Sequence, residues 1–116
     1  MSVVLYHNSK CSKSRQTLDL LRDRGIVPDI IEYLKSPPSA EKLQEILGLL
    51  GLMPRELMRR KEDVYTECGL DNVSLSEAEL IDFMVKYPIL IERPILLANG
   101  KAAVGRPPEK ALEILK

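Results

Sequence analysis

The sequence predicts an α/β fold in which a four-stranded mixed sheet is interrupted by a helical insertion over about residues 37–87. Near the N-terminus a strand, a helix and a second strand follow in order, which is the pattern of parallel strand pairing. Helical periodicity fills the middle of the chain. Near the C-terminus two short β-prone runs flank an Asn-Gly dipeptide, which indicates an antiparallel hairpin.

Length and composition favour one domain over residues 1–116, because the chain is 45% hydrophobic and 29% charged, as ordinary globular domains are. No apolar run approaches the roughly 20 residues of a membrane span, and no signal peptide is visible at the N-terminus, so we expect a cytoplasmic protein. The 17 Lys and Arg balance the 17 Asp and Glu. We therefore expect no binding to nucleic acid or membranes, and any anion site must be local.

The first strand is predicted at residues 3–6, which are β-prone and are followed by a polar loop. Apolar residues at helical spacing then predict a helix over about residues 12–24, which Gly25 ends because glycine accepts the left-handed conformation. Residues 27–34 form the second predicted strand. A pair of prolines closes this strand-helix-strand unit.

Three helices are predicted in the insertion. Ser39 is a good N-cap for an amphipathic helix that continues to residue 50. Proline is tolerated at a first helical position, so a short helix is expected over residues 54–60. Ser76 begins the third helix as part of a capping box, and this helix ends before Pro88.

The last stretch of the chain changes to β periodicity. Residues 95–97 and 102–104 flank the Asn-Gly dipeptide at 99–100, which best supports a tight type I′ turn. The proline pair at 107–108 fits the first turn of a final helix, whose apolar residues can cover the sheet.

Cys11 is the predicted nucleophile. It lies where a loop after a strand turns into a helix, and there the unpaired N–H groups and the helix dipole stabilise a thiolate. Lys10, Lys13 and Arg15 add positive charge, and Ser14 is placed to donate a hydrogen bond to the sulfur. The alternative is a buried structural cysteine, the commonest state of a free cysteine, but the polar neighbours favour the reactive one.

Cys68 is the second cysteine, and its acidic neighbours disfavour a thiolate. We expect it to be inert, although a role in resolving an intermediate stays open if folding brings it close to Cys11. Ser14 occupies the position that a C-x-x-C motif would need, so an external thiol has to regenerate an enzyme that cycles.

His7 is the only histidine in the chain and lies four residues before Cys11. An imidazole there can stabilise a thiolate or shuttle a proton. A histidine in a loop also commonly does no more than hydrogen-bond the backbone, and the sequence leaves both roles open.

Three arginines are candidates for binding an anion. Arg93 and Arg106 each precede a proline, and a residue before proline is held extended, which fixes the direction in which the guanidinium leaves the backbone. Arg59 lies in a basic cluster. Each of them alone is more often a solvated surface charge than a ligand.

Taken together, these residues resemble the glutaredoxin-dependent arsenate reductases, the ArsC-like family, across nearly the whole chain. The matching positions are Tyr6-His7-Asn8, Cys11, Ser14, Arg15, Arg59, Arg93-Pro94 and Arg106-Pro107. The resemblance implies a thioredoxin-like fold and a cis bond between Arg93 and Pro94 that faces the Cys11 loop. It also implies that the three arginines converge on Cys11 to hold an arsenate oxyanion.

A reaction follows from the resemblance as well. The Cys11 thiolate, assisted by His7 and Ser14, attacks arsenic(V) and displaces water or hydroxide. Glutathione then attacks the adduct as a co-substrate, glutaredoxin reduces the mixed disulfide, and arsenite leaves. We expect a monomer that detoxifies arsenic with no bound cofactor and no metal.

The chain departs from the family pattern on both sides of the cysteine. Ser9-Lys10 stands where a proline is usual, and Ser12-Lys13 replaces smaller residues. Two alternatives remain open: a regulator that resembles the Spx group and binds RNA polymerase, and a glutathione-dependent thiol oxidoreductase with another substrate. The first is disfavoured because its members typically use the C-x-x-C switch that Ser14 removes here.

Overall fold

The computed structural model describes residues 2–115. The chain groups into two compact units: a helical unit, Pro37–Glu92, and a sheet unit made of the residues on either side of it. The predicted insertion therefore coincides with the helical unit to within a few residues. That the two units form a single domain stays a prediction.

Within residues 2–36 and 93–115 the sheet unit contains four strands, a helix and a C-terminal 3₁₀ helix. These elements are β1 (Val3–His7), α1 (Ser12–Asp23), β2 (Asp29–Glu32), β3 (Ile95–Ala98), β4 (Lys101–Val104) and the 3₁₀ helix Pro108–Leu115. The strand order is β2-β1-β3-β4, with β1 parallel to β2 and the remaining neighbours antiparallel. This is the mixed sheet of a thioredoxin-like fold, which confirms the predicted fold class.

The core of the sheet unit lies where α1 and the C-terminal 3₁₀ helix pack together and against the sheet. Alternate side chains of β1 and β3 face the core, because successive side chains of a strand point to opposite faces of the sheet. They pack against α1 side chains that share one face of that helix. The buried cluster consists of Val3, Leu5, Leu18, Leu21, Leu96, Ala98, Ala111, Leu112 and Ile114. This packing fixes the N-terminal end of α1 relative to the end of β1.

The hairpin between β3 and β4 has the turn that the sequence predicts. Asn99 has a φ of 55° and Gly100 a φ of 70°, and a type I′ turn needs positive values at both positions. The Asn99 side chain also donates to the carbonyl of Ile114 at 3.0 Å, which ties the turn to the C-terminal 3₁₀ helix.

The helical unit contains three α-helices and two 3₁₀ turns. They are α2 (Ala40–Leu50), the turn Pro54–Leu57, α3 (Asp63–Glu67), α4 (Glu77–Lys86) and the turn Pro88–Leu90. The Ser39 cap and the Ser76 capping box are both present, which confirms the predicted starts of α2 and α4. No helix among residues 2–115 is long and apolar enough to cross a membrane.

Some predicted bounds were too long. The helix expected over residues 54–60 is a 3₁₀ turn of four residues, because Met58 leaves it to form an isolated bridge with Ile91. The strand expected over residues 27–34 is limited to β2, since the backbone turns at Glu32, whose carbonyl accepts from two later N–H groups. The short helix α3 and the turn Pro88–Leu90 were not predicted.

Gly105 follows β4 at a point of close approach within the sheet unit. A Cβ atom at this position would lie 2.6 Å from Thr17 Oγ1 and 2.8 Å from Pro94 Cγ. Thr17 belongs to α1 and is fully buried, so it has little room to yield. Only glycine lets this segment pack against both neighbours.

We expect Gly105→Ala to lower the free energy of unfolding by about 1–3 kcal/mol, the usual cost of overpacking a filled site. The matched control is Gly48→Ala in α2, where a Cβ would meet nothing within 4 Å. That change should leave stability equal or raise it by up to ~1 kcal/mol through helix propensity. Urea unfolding of both variants measures the difference, and equal stability would contradict the packing argument.

Candidate active site

Cys11 is the N-cap residue of α1, with an extended backbone at φ −95° and ψ 125°. Its carbonyl accepts the first helical hydrogen bond, from Arg15 N–H at 3.0 Å. The first turn of α1 contains no acidic residue that would oppose the positive end of the helix dipole. Cys11 is 8% exposed. Its sulfur is therefore partly dehydrated, and the helix dipole acts on it more strongly than it would in water.

The loop before Cys11 is held by its own hydrogen bonds. The carbonyl of Asn8 accepts from Cys11 N–H at 3.0 Å, and the Asn8 side chain accepts from Lys10 N–H at the same distance. The Arg15 guanidinium returns from α1 to the carbonyl of Ser9 at 2.9 Å. Sequence reasoning assigned no such role to Asn8, although an asparagine at this spacing is the signal of an Asx turn.

His7 and Ser14 form a buried pair beneath this loop. Ser14 Oγ lies 2.6 Å from His7 Nδ1 and accepts from Asn8 N–H at 3.0 Å. The hydroxyl has one proton. When Nδ1 is unprotonated, the Ser14 hydroxyl donates its proton to Nδ1. When Nδ1 is protonated, it donates to Ser14 Oγ, and the Ser14 hydroxyl can donate its own proton to another acceptor. The tautomer of His7 thus decides whether Ser14 can donate elsewhere, as the predicted bond to sulfur requires.

Burial lowers the pKa of His7 below its usual 6.5, because a charged imidazole loses its hydration in this position. The carboxylate of Glu32 opposes this effect, whereas the positive charges of Arg22 and Arg15 add to it. His7 is therefore neutral at pH 7 and can donate from one ring nitrogen while it accepts on the other.

Arg106 is the cation that the fold brings to the sulfur. Its Nη2 atom lies 3.9 Å from Cys11 Sγ, and its Nε–H donates to the carbonyl of Arg93 at 2.9 Å. The bond from Arg93 to Pro94 is cis, as the resemblance implies. The bond from Arg106 to Pro107 is also cis, which was not expected. The Nε and Nη1 atoms of Arg93 are buried.

Arg59 lies in the helical unit and has two carboxylate partners there. Its Nη1 atom is 2.7 Å from Glu62 Oε1, and its Nε atom is 3.7 Å from Glu92 Oε1. The sheet unit therefore brings together Cys11, Arg106 and the backbone of Arg93, while the convergence of Arg59 on the sulfur stays a prediction. The three-residue spacing of Arg59 and Glu62 is a signal that could have indicated the first pair, whereas Glu92 is distant in the sequence.

Cys11 and Cys68 are both free thiols. Cys68 is half-buried and follows α3 in the helical unit. Within residues 2–115 no group of three His, Cys, Asp or Glu side chains is arranged to hold a metal ion. The chemistry that the described groups support is that of a thiol beside a guanidinium.

A cysteine at the start of α1, directly after the first strand of a thioredoxin-like sheet, defines a thiol protein of that fold class. The comparison with known families is more specific. This chain belongs to the ArsC family, whose model matches residues 6–114. The family resemblance found in the sequence is therefore confirmed.

Close relatives cover almost the full chain. An uncharacterized Escherichia coli protein, YfgD, is 54% identical over 97% of this chain and 96% of its own length. An arsenate reductase of Haemophilus influenzae is 49% identical over 99% of this chain and 100% of its own. Among solved structures, an arsenate reductase from Vibrio cholerae has a TM-score of 0.96 and 52% identity over 98% of each chain.

The lowered pKa of His7 predicts how stability depends on pH. Unfolded His7 binds a proton near pH 6.5 and folded His7 only below that, so stability falls as pH drops from 6.5 through the folded pKa. The variant His7→Asn, which keeps a hydrogen-bonding atom near Nδ1, should lose this component. Urea unfolding of both proteins at about pH 7.5 and about pH 5.5 provides the measurement. If wild type and His7→Asn lose the same free energy of unfolding between the two pH values, His7 does not have the lowered pKa that its burial implies.

Proposed function

We propose that this protein is an arsenate reductase in which the Cys11 thiolate attacks the arsenic atom. The observation that carries the proposal is the 3.9 Å separation of Arg106 Nη2 and Cys11 Sγ at the N-terminus of α1. One cation and one helix end stabilise both the nucleophile and the oxyanion that it attacks. The relatives named arsenate reductase support the same substrate.

The first step joins the substrate to the enzyme without a change of oxidation state. The thiolate forms a sulfur-arsenic bond, an arsenic-oxygen bond breaks, and the hydroxide that leaves takes a proton to become water. Arg106 holds the oxyanion oxygens during this step and Arg93 is a second ligand, since guanidinium forks match such oxygens in pairs. Ser14 and His7 keep the loop in place and exchange the proton.

The reduction uses external thiols, because Ser14 stands where a second cysteine would serve. Glutathione attacks the arsenic adduct through its sulfur and displaces a second hydroxide. A glutaredoxin thiolate then attacks the glutathione sulfur, and the electron pair of the broken sulfur-arsenic bond reduces arsenic(V) to arsenic(III). Hydrolysis releases arsenite and free Cys11. In sum, arsenate and two thiols give arsenite, a disulfide and water, in a cycle suited to the cytoplasm.

The proposal is tested by arsenate-dependent oxidation of NADPH in an assay coupled through glutathione, glutathione reductase and glutaredoxin. Wild type should turn over, and Cys11→Ser should lose all activity because a serine hydroxyl is not ionised at neutral pH. The matched control Cys68→Ser should retain it. Equal rates for wild type and Cys11→Ser would refute the proposal, as would turnover of a disulfide substrate in the absence of any turnover of arsenate.

The role of Arg106 gives a second prediction. Arg106→Ala should lower kcat/KM for arsenate by about 10²-fold, the usual effect of removing one preorganised group that stabilises developing negative charge. The kcat/KM of Arg106→Lys should lie between those of wild type and Arg106→Ala, since lysine keeps the charge but loses the paired donors. Arg24→Ala, at the opposite end of α1, is the control and should match wild type. Equal losses for the Arg24 and Arg106 variants would show that position does not matter.

A further inference from the structure

A cavity of about 260 Å³ opens at the carboxyl ends of β1 and β2 in the sheet unit. It forms there because His7 pairs with Glu32 in the parallel ladder, so the two strand ends and the segments after them face each other. Ligands of open α/β sheets commonly bind outside the carboxyl ends of the strands. The lining residues are His7, Asn8, Ser9, Lys10, Glu32, Leu34 and Lys35.

One wall of this cavity is continuous with the nucleophile. Lys10 directly precedes Cys11, and the hydrogen bonds of Asn8 to Lys10 N–H and Cys11 N–H fix both residues in one turn. The Arg15 guanidinium holds Ser9 from the other side. A molecule in the cavity therefore lies at a defined position beside the cysteine loop.

The charges of the lining have both signs. Lys10 and Lys35 provide two ammonium groups, and Glu32 provides one carboxylate, 3.3 Å from the Lys35 ammonium. Both partners of that ion pair are well exposed, and such pairs exchange partners at little cost. A simple inorganic anion would meet the Glu32 carboxylate, whereas a ligand with two carboxylates and one ammonium would find a partner for each charge.

The size of the cavity restricts the ligand further. Its volume lies just below the ~300–1,000 Å³ of typical ligand pockets, so the occupant is a small molecule. Glutathione, a tripeptide with two carboxylates, one ammonium group and a central thiol, meets these requirements.

We propose that this cavity is the binding site of the reducing thiol, with Lys10 and Lys35 on its carboxylates and Glu32 on its ammonium group. The ligand class is a small zwitterionic thiol, and glutathione is the member that we assign. This inference rests on the proposed function in one respect: the thiol serves the intermediate held on Cys11. The binding itself needs neither arsenate nor turnover.

The test is a titration of the wild-type chain with S-methylglutathione, whose blocked sulfur cannot react. Binding is monitored through the amide chemical shifts of the protein by NMR. Shifts should concentrate in residues 8–10 and 32–35. Lys35→Ala and Glu32→Gln should each weaken binding about threefold to tenfold, as expected for the loss of one charged contact. Lys35→Arg should restore it, and Lys101→Ala, on the edge strand β4, should match wild type.

Shifts elsewhere in the chain, or equal binding by all variants, would overturn the inference. Inorganic sulfate that produced the same shifts with the same affinity would also overturn it, because the site would then select for anionic charge alone. In the arsenate assay, Lys35→Ala should raise the KM for glutathione and leave the KM for arsenate unchanged. If Lys35→Ala turns over arsenate with an unchanged KM for glutathione, the proposed glutathione site is refuted and the proposed reductase activity is not. If S-methylglutathione binds at this cavity but wild type does not turn over arsenate, only the reductase activity is refuted.

Discussion

The contact between the Arg106 guanidinium and the Cys11 sulfur is the interaction on which the rest of the site depends. The two residues are far apart in the sequence, and the sheet brings them together because β3 pairs with β1 and β4 pairs with β3. Gly105 allows the segment after β4 to pack against Thr17 of α1, immediately before Arg106. The carbonyl of Arg93 then accepts from Nε of Arg106 and sets the plane of the guanidinium. Core packing thus determines the position of the charge.

This local positive field exists in a protein with no net charge. Attraction of an anion therefore does not come from the whole molecule but from a few groups near the start of α1. The first turn of that helix has no acidic residue, and its N–H groups point toward the loop that carries the thiol. Burial lowers the pKa of His7, so at pH 7 it serves as a neutral hydrogen-bond partner of Ser14.

The sequence predicted the parts of the fold that depend on neighbouring residues. The helix α1 follows from its apolar period, the hairpin from Asn99-Gly100, and the start of α4 from the Ser76 capping box. The 3₁₀ turn at Pro54 differs from the predicted helix because Met58 pairs with Ile91, more than thirty positions away. For the site, the position of Cys11 at a helix start was predictable from local pattern. The distance from Cys11 to Arg106, the ion pair of Arg59 with Glu92 and the cavity between two strand ends all depend on tertiary packing, which no spacing in the sequence encodes.

The most direct test of the account is the rate at which iodoacetamide alkylates Cys11 at neutral pH, with and without arsenate, followed by peptide mass spectrometry. Cys68 is an internal reference in the same sample, since it lies at the C-terminal end of α3 and not at the start of a helix. Cys11 should react faster than Cys68, and arsenate should slow the alkylation of Cys11 alone. Equal rates at the two cysteines, with no effect of arsenate on either, would contradict it.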